Sequence, residues 1–152
     1  MVEILEEKKG KDGRPIFVIK KSDLLEFMRQ KKQEGFDHLS LITGVDRKDY
    51  MEVNYHLYSF SKNQYIVVKV TTDNLTVPSL VSLWKSADWE EREQYDMLGI
   101  RFEGHPDLKR MFLPESWVGH PLRKDYDLNN VQYINMDEYG EDYATFDPGD
   151  GW

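Results

Sequence analysis

The chain has 152 residues, of which 39% are hydrophobic and 32% are charged, with a formal net charge of −8. This length predicts a single domain that buries about two thirds of its unfolded surface. Because the sequence contains no cysteine, disulfides, thiolate nucleophiles and cysteine-held zinc or iron–sulfur clusters are excluded. The first residues lack the apolar core of a signal peptide, and the longest aliphatic run, Ile66 to Val68, is far too short to cross a membrane. These features predict a soluble, cytoplasmic chain.

The negative charge is concentrated at the C-terminus. Residues 125–152 contain eight Asp or Glu residues and no Lys or Arg, whereas the first 124 residues are neutral overall. A nucleic-acid-binding protein is expected to have a basic excess on one face. The distribution therefore predicts no nucleic-acid partner.

The first part of the chain predicts a sheet with a helix on one face. A β-prone run covers Arg14–Lys20, and a helix is expected over Asp23–Glu34, with Asp23 and Glu26 as a capping box and Gly35 as the stop. Alternating apolar and polar residues with short polar loops then predict an antiparallel meander. Its three strands are Phe36–Val45, Met51–Phe60 and Gln64–Thr72.

Two further helices are predicted. The first begins at Thr76, because Val77, Leu80, Val81 and Trp84 form one apolar stripe at helical spacing. The second opens with an Asp-x-x-Glu cap at Asp88 and ends near Gly99. Within it, Asp88, Arg92 and Asp96 share a face, which predicts either a local ion-pair ladder or a polar face offered to another subunit.

Two related turns follow this helix. Each contains Gly-His-Pro and then a basic cluster, and Gly and Pro both restrict which backbone shapes are possible. The two stretches are Gly104-His105-Pro106-Asp107-Leu108-Lys109-Arg110 and Gly119-His120-Pro121-Leu122-Arg123-Lys124-Asp125-Tyr126. Such sequences predict segments that hold one defined shape.

Three functions are compatible with these turns. A metal site would use His105, Asp107, His120 and Asp125, with Glu91 or Glu93 as a base. Acid–base or nucleophilic catalysis is disfavoured, because no nucleophile elbow, phosphate-binding loop or marked carboxylate pair is present. An interface module explains the most features, since basic side chains make charge-assisted hydrogen bonds and rigid turns lose little entropy on docking. Its basic residues are Arg92, Lys109, Arg110, Arg123 and Lys124.

This stretch resembles the signature of the 30-kDa subunit of respiratory complex I, an NADH:quinone oxidoreductase. Membrane-bound nickel–iron hydrogenases and related complexes have subunits of the same family. The residues that carry the resemblance, and that it identifies as a partner interface, are Glu91, Arg92, Glu93, Asp96, Gly99, Gly104, His105, Pro106, Asp107, Lys109, Arg110, Gly119, His120, Pro121, Arg123, Lys124, Asp125 and Tyr126.

The resemblance implies a structural subunit of an ion-translocating oxidoreductase, without a catalytic centre or cofactor of its own. Its partner would be the large, 49-kDa subunit, which forms the quinone site next to the terminal iron–sulfur cluster, together with other peripheral-arm subunits. Clusters and quinone, or a nickel–iron centre, would lie on those partners. The chain would then sit at the cytoplasmic face of the cell membrane and touch it only through the complex. The alternative is the equivalent subunit of a membrane-bound hydrogenase, formate hydrogenlyase or ferredoxin-dependent complex.

We therefore expect an α+β fold, with an antiparallel β-meander and packed helices over residues 1–126. An acidic, aromatic C-terminal arm follows over residues 127–152, and its rings are expected to anchor it on a partner. Exposed ion pairs contribute little to folding. Charge reversal at Arg92 or Arg123 is accordingly expected to weaken assembly more than it lowers the stability of the chain.

Overall fold

The computed structural model describes residues 1–147, and its largest element is a five-stranded sheet. Across the sheet the strands lie in the order β1-β2-β5-β4-β3. Their bounds are β1 Ile4–Lys9, β2 Pro15–Ile19, β3 His38–Asp46, β4 Met51–Ser59 and β5 Gln64–Thr72. Two helices accompany the sheet, α1 over Leu24–Gln33 and α2 over Ala87–Leu98. This arrangement confirms the predicted α+β fold.

The sheet is mixed, with the predicted meander as its antiparallel part. β3 pairs with β4 and β4 with β5, both antiparallel, as the alternating sequence indicates. β2 instead runs parallel to β5, and β1 pairs with β2 at the edge. β1 was not predicted from the sequence, because all six of its residues are exposed and its Glu and Lys residues give no alternating pattern.

The core lies between the sheet and the helices. Val53, Tyr55 and Leu57 project inward from alternate positions of β4, and Leu24 and Phe27 reach them from the first half of α1. Burial of each such Val, Leu or Phe side chain stabilises the fold by roughly 1.5–3 kcal/mol. The sheet and α1 are therefore held mainly by apolar contact.

The ends of α1 agree only in part with the sequence. The helix closes as predicted before Gly35, with the N–H groups of Gly35 and Phe36 donating to carbonyls of its last turn. The capping box was wrong, because no side chain caps the first turn. The Asp23 carboxylate accepts the N–H of Glu3 instead, at 3.3 Å.

The helix predicted to begin at Thr76 is absent. Residues Thr76–Pro78 form strand β6, which pairs in parallel with β7, Arg101–Glu103, and turns follow. The N–H of Ser79 donates to Glu103 and that of Leu80 to the Glu91 carboxylate, both distant in sequence. These tertiary partners take up the backbone donors where the helix was expected. A single turn, in which Trp84 N–H donates to Leu80 O, accounts for the helical spacing of the apolar residues.

α2 is fixed in register along the open edge of β3. Three polar side chains, spaced four residues apart from the N-cap of α2 onward, hydrogen-bond main-chain groups of that strand. The pairs are Ser86 with Leu39 O, Glu90 with Ile42 N–H and Gln94 with Gly44 N–H. α2 thereby covers an edge that would otherwise be free to pair with another strand.

The C-terminal part is an irregular segment that ends in a hairpin. Residues 104–132 are without regular strands or helices, and β8, Tyr133–Met136, then pairs antiparallel with β9, Asp142–Thr145. Of the predicted arm, residues 148–152, including the ring of Trp152, lie outside the described residues. The division of the chain at residue 126 remains a prediction.

Candidate functional site

Residues 104–126, which we call the clamp segment, fold over the face of α2 that carries Asp88, Arg92 and Asp96. Asp96 is 0% exposed. Its Oδ1 lies 2.9 Å from Arg110 Nη1, and its Oδ2 accepts the N–H groups of three successive residues, 111–113, at 2.7–3.1 Å. A carboxylate with this many donors is compensated for its loss of water. Asp96 therefore fixes the middle of the clamp segment to α2.

Arg110 joins the two Gly-His-Pro turns. Its Nη2 donates to the carbonyls of Trp117 and Gly119 at 3.0 and 2.8 Å, while its Nη1 holds Asp96. The planar guanidinium can make these bonds simultaneously, which an ammonium group cannot do in the same geometry. One arginine, whose side chain is 8% exposed, thus fixes the distance between α2 and the second turn.

Arg92 completes this set of contacts one turn earlier on α2. Its Nε and Nη2 donate to the carbonyls of Lys109 and Arg110 at 3.2 and 3.1 Å. Its guanidinium also stacks on the ring of Trp89, 4.7 Å from the centroid. The Arg92 guanidinium therefore makes its contacts with groups of the same chain.

The second Gly-His-Pro turn caps the C-terminal end of α2. The last carbonyls of a helix have no partner within the helix, and positive groups are favourable there. The clamp segment provides three donors at this end: His120 Nδ1 to Asp96 O at 2.9 Å, Leu122 N–H to Met97 O at 3.0 Å, and Arg123 Nε to Leu98 O at 2.6 Å. Since Nδ1 donates, the ring of His120 carries its proton there, and burial lowers its pKa.

Gly99 allows this close approach. It ends α2 with a φ of +76°, and a Cβ on it would lie 2.4 Å from Arg123 Nη2 and 2.7 Å from His120 Cδ2. Only glycine fits both the left-handed backbone and the available space. The predicted special torsions are also present at Gly104 and Gly119, with φ values of +86° and +90°.

Glu91 lies beneath the first Gly-His-Pro turn and is 0% exposed. Its Oε1 accepts the N–H of Leu80 at 2.6 Å and its Oε2 accepts the hydroxyl of Ser79 at 2.7 Å. Burial raises the pKa of this carboxyl from its usual 4.5 to about 7, and nearby Asp88 adds to the rise. Burial, and secondarily Glu91, also raises the pKa of the Tyr55 hydroxyl. The core thus contains an acid that titrates near neutral pH.

His105 uses both ring nitrogens inside the chain. Nδ1 accepts the N–H of Asp107 at 3.0 Å, so the proton is on Nε2. Nε2 lies 3.2 Å from Asp88 O, 3.1 Å from Asp88 Oδ1 and 4.0 Å from Glu91 Oε2. The histidine therefore joins the first turn to the start of α2.

These contacts correct several sequence-based expectations about α2. The ion-pair ladder was wrong, because Asp88, Arg92 and Asp96 each bind the clamp segment rather than one another. The cap at Asp88 was also wrong, since α2 begins at Ala87 without a side-chain cap. On this face the chain's own residues bury Asp96, whereas Asp88 and Arg92 stay half-exposed, and contact of the face with another subunit stays a prediction.

The structure does not support the metal-site hypothesis either. Within residues 1–147 no group of three or more His, Asp or Glu side chains could hold a metal ion, so His105, Asp107, His120 and Asp125 do not form one. Asp125 is exposed at the far end of the clamp segment, and Glu93 is half-buried on α2.

The signature residues fall into three groups by exposure. Glu91, Asp96 and Gly99 are buried. The half-buried members are Arg92, Glu93, His105, Arg110, His120, Pro121, Arg123 and Tyr126. The exposed members are Gly104, Pro106, Asp107, Lys109, Gly119, Lys124 and Asp125. Sequence reasoning overlooked Ser79, Glu90 and Gln94, although the four-residue spacing of the last two was a usable signal.

The clamp segment also presents apolar side chains outward. Phe112 is 61% exposed and Leu122 is 63% exposed, and Val118 lies between them in sequence and is exposed as well. Trp89 adds an exposed ring on α2. Exposed apolar groups on a rigid frame are typical of protein-binding surfaces.

Comparison with known proteins places this region in a family. Residues 17–132 match the family described as "Respiratory-chain NADH dehydrogenase, 30 Kd subunit". A relative from Roseiflexus sp. (strain RS-1), named as a subunit of NADH-quinone oxidoreductase, is 47% identical over 111 residues, which are 70% of this chain and 64% of that protein. The protein of the same name from Moorella thermoacetica is 43% identical over 129 residues, 82% of this chain and 86% of its own length. Against some relatives, such as that of Sinorhizobium medicae, the chain covers only 59% of the length.

Two solved structures have the same fold. A trypsin-resistant fragment of Nqo5 is 32% identical, with a TM-score of 0.64 over 68% of this chain and 89% of the fragment. A chain of a membrane-bound sulfane sulfur reductase, described as an archaeal respiratory membrane complex, is 27% identical, with a TM-score of 0.71 over 81% of this chain and 77% of that one. No helix in residues 1–147 is long and apolar enough to span a membrane. By the match over residues 17–132 and by these relatives, the chain belongs to the 30-kDa subunit family of respiratory-chain NADH dehydrogenases.

Proposed function

We propose that this chain is a structural subunit, without a prosthetic group or catalytic centre, of an ion-translocating NADH:quinone oxidoreductase. It docks on the large, 49-kDa subunit, which forms the quinone site beside the terminal iron–sulfur cluster. The complex is attached to the membrane through other subunits, with this chain on the cytoplasmic side. Family membership and the names of the relatives support this assignment.

The observation that carries the proposal is how the polar signature residues are used. Arg92, Arg110 and Arg123 donate to main-chain carbonyls of this chain, and Asp96 accepts from its backbone. These side chains hold the clamp segment in one shape rather than reach toward a substrate. A surface fixed before binding loses less conformational entropy on docking, which favours assembly.

Docking itself then depends on the outer, apolar residues of the clamp segment. Phe112 and Leu122 would be buried against the large subunit, in the manner of interface anchors. This changes the expectation that the arginines bind the partner directly. Their role is to position the surface.

The test is native purification of the tagged chain from its own membranes, with subunits identified by mass spectrometry. We expect recovery with a cluster-bearing large subunit. Phe112→Asp and Leu122→Asp should each lower that recovery about tenfold or more, whereas Leu5→Asp, at an exposed position of β1, should leave it unchanged. Recovery of the wild-type chain alone would refute the proposal.

A second candidate is the equivalent subunit of a membrane-bound hydrogenase, formate hydrogenlyase or ferredoxin-dependent complex. The similarity to the sulfane sulfur reductase chain, over 81% of this chain, favours keeping it. The large subunit recovered in the same purification distinguishes the two. Four nickel-binding cysteines in its sequence would identify a hydrogenase, and their absence would favour the quinone enzyme.

A further inference from the structure

The hairpin of β8 and β9, which we call the tip hairpin, lies outside the part of the chain that matches the family model. Its turn is built around one carboxylate. Asp137 Oδ1 accepts the N–H groups of Tyr139 and Glu141, both at 2.9 Å, and Gly140 N–H donates to Asp137 O at 3.1 Å. The turn therefore has a defined shape, and it presents a tyrosine that is 83% exposed.

One face of the tip hairpin carries exposed apolar side chains. Residues at alternate positions of a strand share a face, so Ile134 and Met136 lie on the same side. They are 46% and 69% exposed, whereas Tyr133 and Thr145 on the other face are half-buried. Ile134, Met136 and the turn residue Tyr139 are exposed apolar groups, which we call the apolar row. Asp142 lies beside Met136 on the same face, and Tyr143, 41% exposed, lies on the other face.

The tip hairpin is attached to the rest of the chain by few hydrogen bonds. Ala144 N–H donates to Ser116 Oγ at 2.7 Å, and Gln132 exchanges two bonds with the main chain of Val118. A two-stranded hairpin is marginally stable alone in water. Its exposed apolar row is therefore expected to gain stability from a covering surface.

The charged residues of the hairpin and its turn are all negative. The turn carries Asp137, Glu138, Glu141 and Asp142, and no Lys or Arg occurs in the sequence after Lys124. None of the ion pairs formed among residues 1–147 includes any of these four acids. An acidic rim repels a second copy of itself, nucleic acid and anionic lipid, and it attracts a basic surface.

We propose that the tip hairpin inserts Tyr139 into an apolar pocket of a partner polypeptide, and that Lys and Arg side chains line the rim of that pocket. This inference rests on the proposed function, in which the chain is one subunit of a complex. Tyrosine suits the role, because its ring buries a large area while only two side-chain torsions are fixed. The acids add specificity and salt dependence through their attraction to the basic rim.

The first test uses the assembled complex from native membranes. Tyr139→Ala should reduce retention of the chain about tenfold. The double variant Glu138→Lys with Glu141→Lys should reduce retention of the chain at low salt. The difference from wild type should be largely lost at about 0.5 M salt. The controls are Tyr50→Ala, at another exposed tyrosine, and the double reversal Glu7→Lys with Glu34→Lys, which changes the net charge equally.

A second test locates the pocket. A photoreactive phenylalanine analogue replaces Tyr139, and mass spectrometry of the irradiated complex identifies the residues it labels. Labelling of a partner segment flanked by Lys and Arg supports the inference. Labelling of this chain alone, or of an acidic partner segment, overturns it.

The outcomes also separate this inference from the proposed function. If the wild-type complex is recovered and both tip variants are retained as well as their controls, the hairpin is not an anchor and the inference is wrong, while the proposed function stands. If the wild-type chain is recovered without any large subunit, the proposed function fails, and the inference that rests on it is overturned too.

Discussion

Replacement of Glu91 by Gln tests the buried acid directly. Glu91 is enclosed by Ser79, Leu80, Asp88, Tyr55 and His105, and burial raises its pKa from 4.5 to about 7. Between these two pH values the unfolded chain has released the proton and the folded chain has kept it. The folded state is therefore favoured most below pH 4.5, and this contribution is lost as the pH rises toward 7. A pKa rise of this size corresponds to roughly 3 kcal/mol of unfolding free energy.

Gln has the shape of the protonated acid and does not titrate. Its oxygen can accept the N–H of Leu80, and its amide can donate to the hydroxyl of Ser79. The stability of the variant relative to the wild type should therefore rise by roughly 2–3 kcal/mol between about pH 5 and pH 8. Urea unfolding of the isolated chain, followed by tryptophan fluorescence from about pH 5 to 8, gives this difference. Glu7→Gln, which removes one carboxylate at an exposed position, is the matched surface control. Equal pH slopes for wild type and Glu91→Gln would refute the reasoning.

Three further substitutions test the contacts between α2 and the clamp segment. Asp96→Asn leaves Arg110 without its buried counter-charge and should lower the unfolding free energy by about 3 kcal/mol. Urea unfolding measures this loss, and a loss within the error of the measurement would contradict the role assigned to Asp96. Arg123→Glu puts a negative group against the carbonyl end of α2 and should lower the unfolding free energy by about 1–2 kcal/mol. The loss is measured as a fall in melting temperature. An unchanged melting temperature would instead favour the sequence-based expectation that this side chain contributes little to stability. Gly99→Ala adds a Cβ in a left-handed and crowded position and should cost about 1–3 kcal/mol of unfolding free energy. The control is Gly104→Ala, where φ is also positive but, apart from Gly104 and its two chain neighbours, no atom of residues 1–147 lies within 4 Å of the added Cβ. Equal losses in unfolding free energy for the two variants would show that crowding at Gly99 is unimportant.

Several parts of this fold could be predicted because the deciding contacts are local. The alternation along Met51–Ser59 requires only that one face of a strand be buried. The end of α1 follows from Gly35, whose positive φ suits a helix stop. The two Gly-His-Pro turns likewise carry their backbone restrictions in their own residues, and the same residues led to the family.

Other parts depend on groups far away in the sequence. The apolar spacing of Val77, Leu80 and Trp84 fits a helix, yet distant acceptors on Glu91 and Glu103 hold that segment as a strand and turns. The parallel pairing of β2 with β5 likewise joins segments that are far apart along the chain. Periodicity within a segment cannot indicate such partners.

In the candidate site too, some features follow from local sequence and others from contacts between distant residues. The sequence by itself determined the family of the chain, since the residue types and the spacing of the two Gly-His-Pro turns are local features. Only the tertiary structure decided what the signature residues contact. Arg92, Asp96 and Arg123 were expected at the surface, but they turn inward because unpaired main-chain groups of α2 and the clamp segment need partners there. Which complementary groups a charged side chain can reach is known only once the chain has folded.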